Sequence, residues 1–248
     1  MARFQRRKSN EMHVVALPAI GALCMLILTT KPAAADDPRG WTGPYIGAGL
    51  GASALAGTET DTHTVPQGTD KYSGGPDWGL LATLKAGYNF QISHSVVVGA
   101  FVDVDFTSAQ FTAVSPDGDR NRLREHRAYN VGGRLGYLAG SSTVLFVEGG
   151  YTLSEQKFHY SNEYTKSKSF DGWCAGGGLE QKISGPWSAS IGYRFAEFGK
   201  ERVGGPTGPV PPPPPPPPPL PTDSAVHFID ANSQSIRLGL NYRFGTGD

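Results

Sequence analysis

The sequence is short of cysteine, of net charge and of long hydrophobic runs, and each shortage removes a class of protein. Cys24 and Cys174 are the only cysteines, too few for a disulfide framework or a four-ligand zinc site. Lys plus Arg and Asp plus Glu both number 22. A nucleic-acid binder ordinarily carries a basic surplus, so no nucleic-acid partner is expected. His63, His94, His126 and His227 are scattered without ligand spacing, and neither a metal nor another cofactor is expected. Val14 to Leu28 is the longest apolar run, and it falls short of the ~20 residues a membrane-spanning helix needs.

That run belongs to a leader. Arg3, Arg6, Arg7 and Lys8 precede it, and Ala33-Ala34-Ala35 follows. A basic start, an apolar middle and small residues at the cut make a secretory signal over residues 1–35, cleaved near Ala35. Leu23 before Cys24 lacks the small residue of a lipoprotein signal. The remaining chain, residues 36–248, carries 17 basic and 21 acidic side chains, a net charge of −4. It is expected to be exported as one domain.

What the sequence does have is glycine, 33 residues of it, and a sustained period of two. From Trp78 to Phe90 every even position is apolar (Trp78, Leu80, Ala82, Leu84, Ala86, Tyr88, Phe90). Successive side chains of a strand point to opposite faces, so one face is greasy throughout. The pattern recurs in Val96–Phe106, in Tyr129–Tyr137, in Leu145–Leu153, in Trp173–Lys182, in Trp187–Phe195 and in Ile236–Phe244, after an opening strand at Tyr45–Ser53. Eight strands of about 9–13 residues match the ~9–11 needed for a tilted crossing of a bilayer. An open sheet edge in hydrocarbon would leave backbone groups unpaired, so the strands must close.

The expected fold is all-β: an eight-stranded, antiparallel, up-and-down transmembrane barrel. Long and short connections alternate along the chain, as they do in barrels with long extracellular loops and short periplasmic turns. The fourth long loop, about residues 197–234, carries the proline tract Pro209, Pro211–Pro219 and Pro221. Nine consecutive prolines form a stiff rod of ~28 Å. Seven crossings precede it, which puts it outside the cell. Aromatics should form two girdles at headgroup level. Trp41, Tyr45, Tyr88, Phe90, Tyr137, Trp187, Tyr242 and Phe244 are assigned to the inner rim. Trp78, Phe106, Tyr129, Tyr151, Trp173 and Phe195 are assigned to the outer one.

The opening Trp41-Thr-Gly-Pro-Tyr45-Ile-Gly-Ala-Gly-Leu-Gly resembles the first strand of the small alphaproteobacterial outer-membrane β-barrel proteins, the porin-like and opacity-like surface family. Gly172-Trp-Cys-Ala-Gly-Gly-Gly-Leu-Glu180, Gly185-Pro-Trp187 and Gly192-Tyr-Arg-Phe195 are similar to that family's sixth and seventh strands. The ending, with Arg237, Gly239, Tyr242 and Phe244, resembles the signal read by the barrel assembly machinery. Two departures stand out: Gly245-Thr-Gly-Asp248 follows the last aromatic, and Gly192 sits where the family commonly carries a lumen glutamate. The resemblance implies an outer-membrane location and an abundant, non-catalytic surface protein supporting envelope integrity.

By parity, Lys85, Asp103, Asp105, Arg134, Glu148, Glu180, Lys182, Arg194, Arg237 and Arg243 point into the lumen. Eight strands leave an interior just wide enough for side chains. These charges are therefore expected to pair as a plug, with a narrow solute pore as the alternative. Cys174 reads as a small lumen filler. His159-Tyr160-Ser161-Asn162 resembles the His-x-Ser-Asn motif of outer-membrane lipid A deacylases, making His159 and Ser161 catalytic candidates. The downstream window holds Asp171 where that family has a glutamate, and no enzyme is expected. Arg120, Arg122, Arg124 and Arg127 cluster in the second long loop and invite lipopolysaccharide phosphates. Expected partners are outer-membrane lipid, lipopolysaccharide, the assembly machinery and a host or surface ligand met by the loops, the last making adhesion a further alternative.

Overall fold

The computed structural model describes residues 40–64, 67–114, 120–159, 165–202 and 226–245. The signal-peptide region, Ser161 and the proline tract lie outside the described residues. The strands are β1 (Gly43–Thr64), β2 (Gln67–Gln91), β3 (Val96–Thr107), β4 (Gln110–Val114), β5 (Arg120–Leu138), β6 (Thr143–His159), β7 (Thr165–Ser184), β8 (Trp187–Arg202) and β9 (Val226–Arg243). All neighbours are antiparallel. β1 pairs with both β2 and β9, from Tyr45↔Arg243 to Thr62↔Val226 on the closing seam, so the sheet is a ring.

Nine segments make eight staves. β3 and β4 follow one another in the single position between β2 and β5, separated by Ser108 and Ala109. The break stays bonded: Ser108 N donates to Leu80 O at 3.0 Å, and Glu125 N donates to Ala109 O at 3.1 Å.

The expected strand lengths were too short. β1, β2, β5 and β7 run 22, 25, 19 and 20 residues, and much of the first three long loops is strand. Arg120, Arg122, Arg124 and Arg127 accordingly lie on β5 and not in a loop. The physical reason is that one-sided grease marks only the stretch that faces lipid. Beyond it the ladder continues because each strand already has paired neighbours on both sides, and polar Thr, Ser and Asp residues tolerate that.

The outer face is as the alternation requires. Leu50, Leu80, Leu84, Val102, Val131, Tyr137, Val147 and Leu240 are all exposed, Leu80 by 81%. Tyr88, Phe90, Tyr137, Trp187 and Phe244 are exposed at one rim, and Trp78, Phe106, Tyr129, Tyr151 and Trp173 towards the other. Trp187, Tyr242 and Phe244 stack edge-on in series at 5.0 Å. Two assignments to the inner girdle are corrected. Trp41 and Tyr45 are 2% and 3% exposed and occupy the lumen. Tyr45 adjoins outward Ile46, so alternation itself turns it inward. Gly87 makes room for it: a Cβ there would lie 2.6 Å from the Tyr45 hydroxyl.

Register shifts occur at Leu55/Gly57 in β1, Glu125/Arg127 in β5 and Phe198/Glu201 in β8. Each lies beyond the outer aromatics, where a barrel leaving the membrane has room to change twist. At the opposite end, Gly185 takes the left-handed φ of +52° that lets β7 turn into β8 within two residues.

Candidate functional site

The lumen is filled in layers. At the end where β1 starts and β9 finishes, Trp41, Val97, Leu138 and Val144 form a buried apolar cap, with Phe146 packed against it. At the far end a larger apolar plug gathers Leu55, Phe111, Leu123, Phe170, Cys174 and Phe198. Cys174 is thus packed among phenyl rings, a free thiol. Between the two caps sit the charges.

The middle layer has two clusters. In the first, Arg194 donates to both oxygens of Asp103 at 2.9 and 2.7 Å and also reaches Glu148 at 2.5 Å. Lys85 Nζ bonds Glu148 at 2.7 Å. Arg237 forks onto Asp105 at 2.9 and 2.8 Å, and Asn130 bridges Asp103 and Asp105 at 2.7 and 3.0 Å. Three cations meet three carboxylates, so the cluster is neutral. Fork-to-fork pairing supplies the hydrogen bonds that a desolvated carboxylate needs.

In the second cluster Glu180 receives Arg134 at 2.6 Å, Arg243 at 3.4 Å and the Ser188 hydroxyl at 2.6 Å. The cations outnumber the acid here, and aromatic faces take up the difference. Arg134 lies 4.0 Å over the Phe146 ring, and Arg243 and Lys182 lie 4.4 and 5.3 Å over Trp41. Phe101 similarly underlies Lys85 at 4.4 Å.

All ten lumen candidates therefore converge on this middle layer and the cap beside it. Ion pairs link nine of them to one another, and Lys182 reaches the cap over the Trp41 ring. Parity identifies Phe101 and Phe146 as inward too, since each falls between outward neighbours. Sequence reading passed over them because attention went to charge. Beside Gly192 a void of about 50 Å³ is lined by Lys85, Asp103, Glu148, Arg194 and Arg237, room for a few waters and not for a solute.

Glu125 is a further buried acid that the sequence reading missed. It lies on β5, four residues outside Tyr129 and so beyond the membrane-spanning stretch. Ser154 and Ser233 hydroxyls donate to it at 3.0 and 3.3 Å. Burial pushes its carboxyl up to about 7, and Asp105 adds to the rise. The bulge beside it explains the omission, because parity is lost there.

Of the assembly-signal residues, Arg237 points inward to Asp105, Gly239 pairs with Gly49 on the closing seam, and Tyr242 and Phe244 close the rim. Of the catalytic candidates, His159 ends β6, opposite Thr165 and Arg122 in register. Its proposed partner Ser161 is among the residues not described.

On the outside, outward side chains leave an open concavity of about 1040 Å³ lined by Leu84, Val102, Val104, Tyr129, Val131 and Leu153 among others. Its outward lining residues are those of the lipid-facing wall.

A closed antiparallel ring, greasy outside and charged within, is the architecture of a barrel that spans a membrane with strands. The family model described as the outer membrane protein beta-barrel domain matches residues 20–244. The chain belongs to this family. It is an outer-membrane β-barrel protein, and its location is the cell outer membrane. The 31 kDa outer-membrane immunogenic proteins of Brucella melitensis biotype 1 and Brucella suis biovar 1 are each 24% identical to this barrel over 250 residues. The match covers 93% of this chain and 97% of theirs. Among solved structures, the outer-membrane protein OprG of Pseudomonas aeruginosa shares the fold, with a TM-score of 0.56 at 11% identity, over 85% of this chain and all of the other.

Proposed function

We propose that this outer-membrane barrel is a non-catalytic scaffold: it supports the envelope by occupying and sealing the membrane, and it presents its extended outer end to the surroundings. The observation that carries this reading is the filled lumen. An apolar cap, a layer of paired charges and a second apolar plug follow one another along the axis. A solute pore asks for a continuous aqueous path, and the void beside Gly192, about 50 Å³, is a local pocket with room for a few waters. With a filled lumen and no catalytic constellation assembled among the described residues, the work falls to the walls and the surface.

The test is a strain lacking the chain. Loss of the scaffold should raise uptake of a hydrophobic dye and sensitivity to detergent, and a plasmid copy should restore both. A strain indistinguishable from its parent in both measurements would contradict the proposal. A defect limited to uptake of one small solute would instead favour the pore.

A further inference from the structure

The outer wall of β5 and β6 carries a basic patch directly outside the outer girdle. Arg122, Arg124 and Arg127 on β5 and Lys157 on β6 are exposed, whereas Leu123 and Glu125 between them are buried. Arg124 stands opposite Lys157 in the ladder. Exposed acids adjoin the patch: Glu155 lies 4.0 Å from Arg127, and Asp171 stands opposite Leu153 on the next strand. His126, at the bulge, is exposed as well.

The bulge creates the patch. On β5 the outward lipid-facing residues are odd-numbered, Tyr129, Val131, Leu135 and Tyr137, yet Arg122 and Arg124 are even. An uninterrupted strand would turn these two arginines inside. The extra residue between Glu125 and Arg127 resets the phase, so cations and aromatics share one wall. Like charges on adjacent strands repel, and three arginines and a lysine against few acids leave a surplus that an anion would satisfy.

Directly below, the apolar concavity of the outer wall ends at Tyr129, Val131, Tyr151 and Leu153. Cations at headgroup height above an acyl-sized furrow match an amphiphile whose head is anionic. The end away from the termini is the cell exterior in an even-stranded barrel, so the ligand comes from the outer leaflet.

We infer that this wall binds lipopolysaccharide, with lipid A phosphates held by Arg122, Arg124, Arg127 and Lys157 and acyl chains laid along the furrow. Guanidinium forks suit phosphate oxygens, forming short charge-assisted bonds. The inference takes the barrel's place in the outer membrane from fold and family and not from the scaffold reading, so either can fail alone.

The experiment is native mass spectrometry of the folded full chain in detergent, titrated with bisphosphorylated lipid A, its dephosphorylated form, or phosphatidylglycerol. Retained heat-modifiable gel migration identifies folded variants. The expected result is preferential retention of bisphosphorylated lipid A. Combining R122Q, R124Q and R127Q should weaken it at least about tenfold, and the matching lysine replacements, which keep the charge but lose the fork, should fall between the natural chain and the glutamine variant. Unchanged affinity in the glutamine variant would overturn the inference. Equal binding of dephosphorylated lipid A or of phosphatidylglycerol by the natural chain would overturn it too, and that comparison needs no variant to fold.

Discussion

At Arg194 two carboxylates, Asp103 and Glu148, converge on one guanidinium inside a filled lumen. Removing the cation leaves those acids buried without their main partner. Arg194→Leu should therefore destabilise the barrel by about 3–5 kcal/mol, measured by urea unfolding in detergent micelles. A change below 1 kcal/mol would show that water reaches the layer. Glu125 makes a second prediction, and its sign follows from its raised pKa. Between about 4.5 and about 7 the folded protein holds a proton that the unfolded chain has released. Stability should fall as pH rises through that window, by about 3 kcal/mol in all, and stay low above it. Glu125→Gln should flatten the profile and raise stability at pH 8 while changing little at pH 4.5, read from the unfolding midpoint at each pH. An unaltered profile would mean the carboxyl is hydrated. At this scale the charged lumen residues were legible because alternation gives every strand residue a side. Trp41 was not, since it precedes the first strand and has no parity. Tyr45 had parity, but its aromatic character drew it to the girdle instead.

The staves separate into a lipid-facing part and an outer extension, and substitutions should tell the two apart. Val102 faces lipid near the middle of β3, so Val102→Arg should cost about 2–4 kcal/mol. Asp77 lies just outside Trp78 on β2, and Asp77→Arg should fall within about 0.5 kcal/mol of the parent in the same urea titration. Equal costs would mean that the boundary is misplaced. The bulge on β5 offers a sharper change. Deleting His126 should turn Arg122 and Arg124 inward and Leu123 outward, exposing the extension to added protease while the spanning part stays protected. Full protection would show that the register can slide. The spanning segments were readable because lipid on one side and a packed lumen on the other impose a period of two. The extensions were not. Their outer faces meet water, Phe111, Leu123 and Phe170 sit singly among polar residues, and three register shifts break the parity that would have linked them to Leu55 and Phe198.

For the molecule as a whole, the ring and its filling act together. Closure satisfies every strand edge in the bilayer, and eight staves fix a width that side chains can fill. The filling here is amphipathic along the axis, apolar at both ends and ionic between them, which holds the ion pairs in a low-dielectric interior and makes each pair stronger. Family and fold place the barrel in the outer membrane. The scaffold proposal puts the work of the molecule on the outer wall and the outer end. Planar-bilayer recording of the folded full chain tests that most directly. The filled lumen predicts a flat baseline across the applied voltages, with no stable steps. Long-lived, reproducible open levels from the purified protein would contradict it, because they require a water path where aromatic rings and arginine–carboxylate forks now stand.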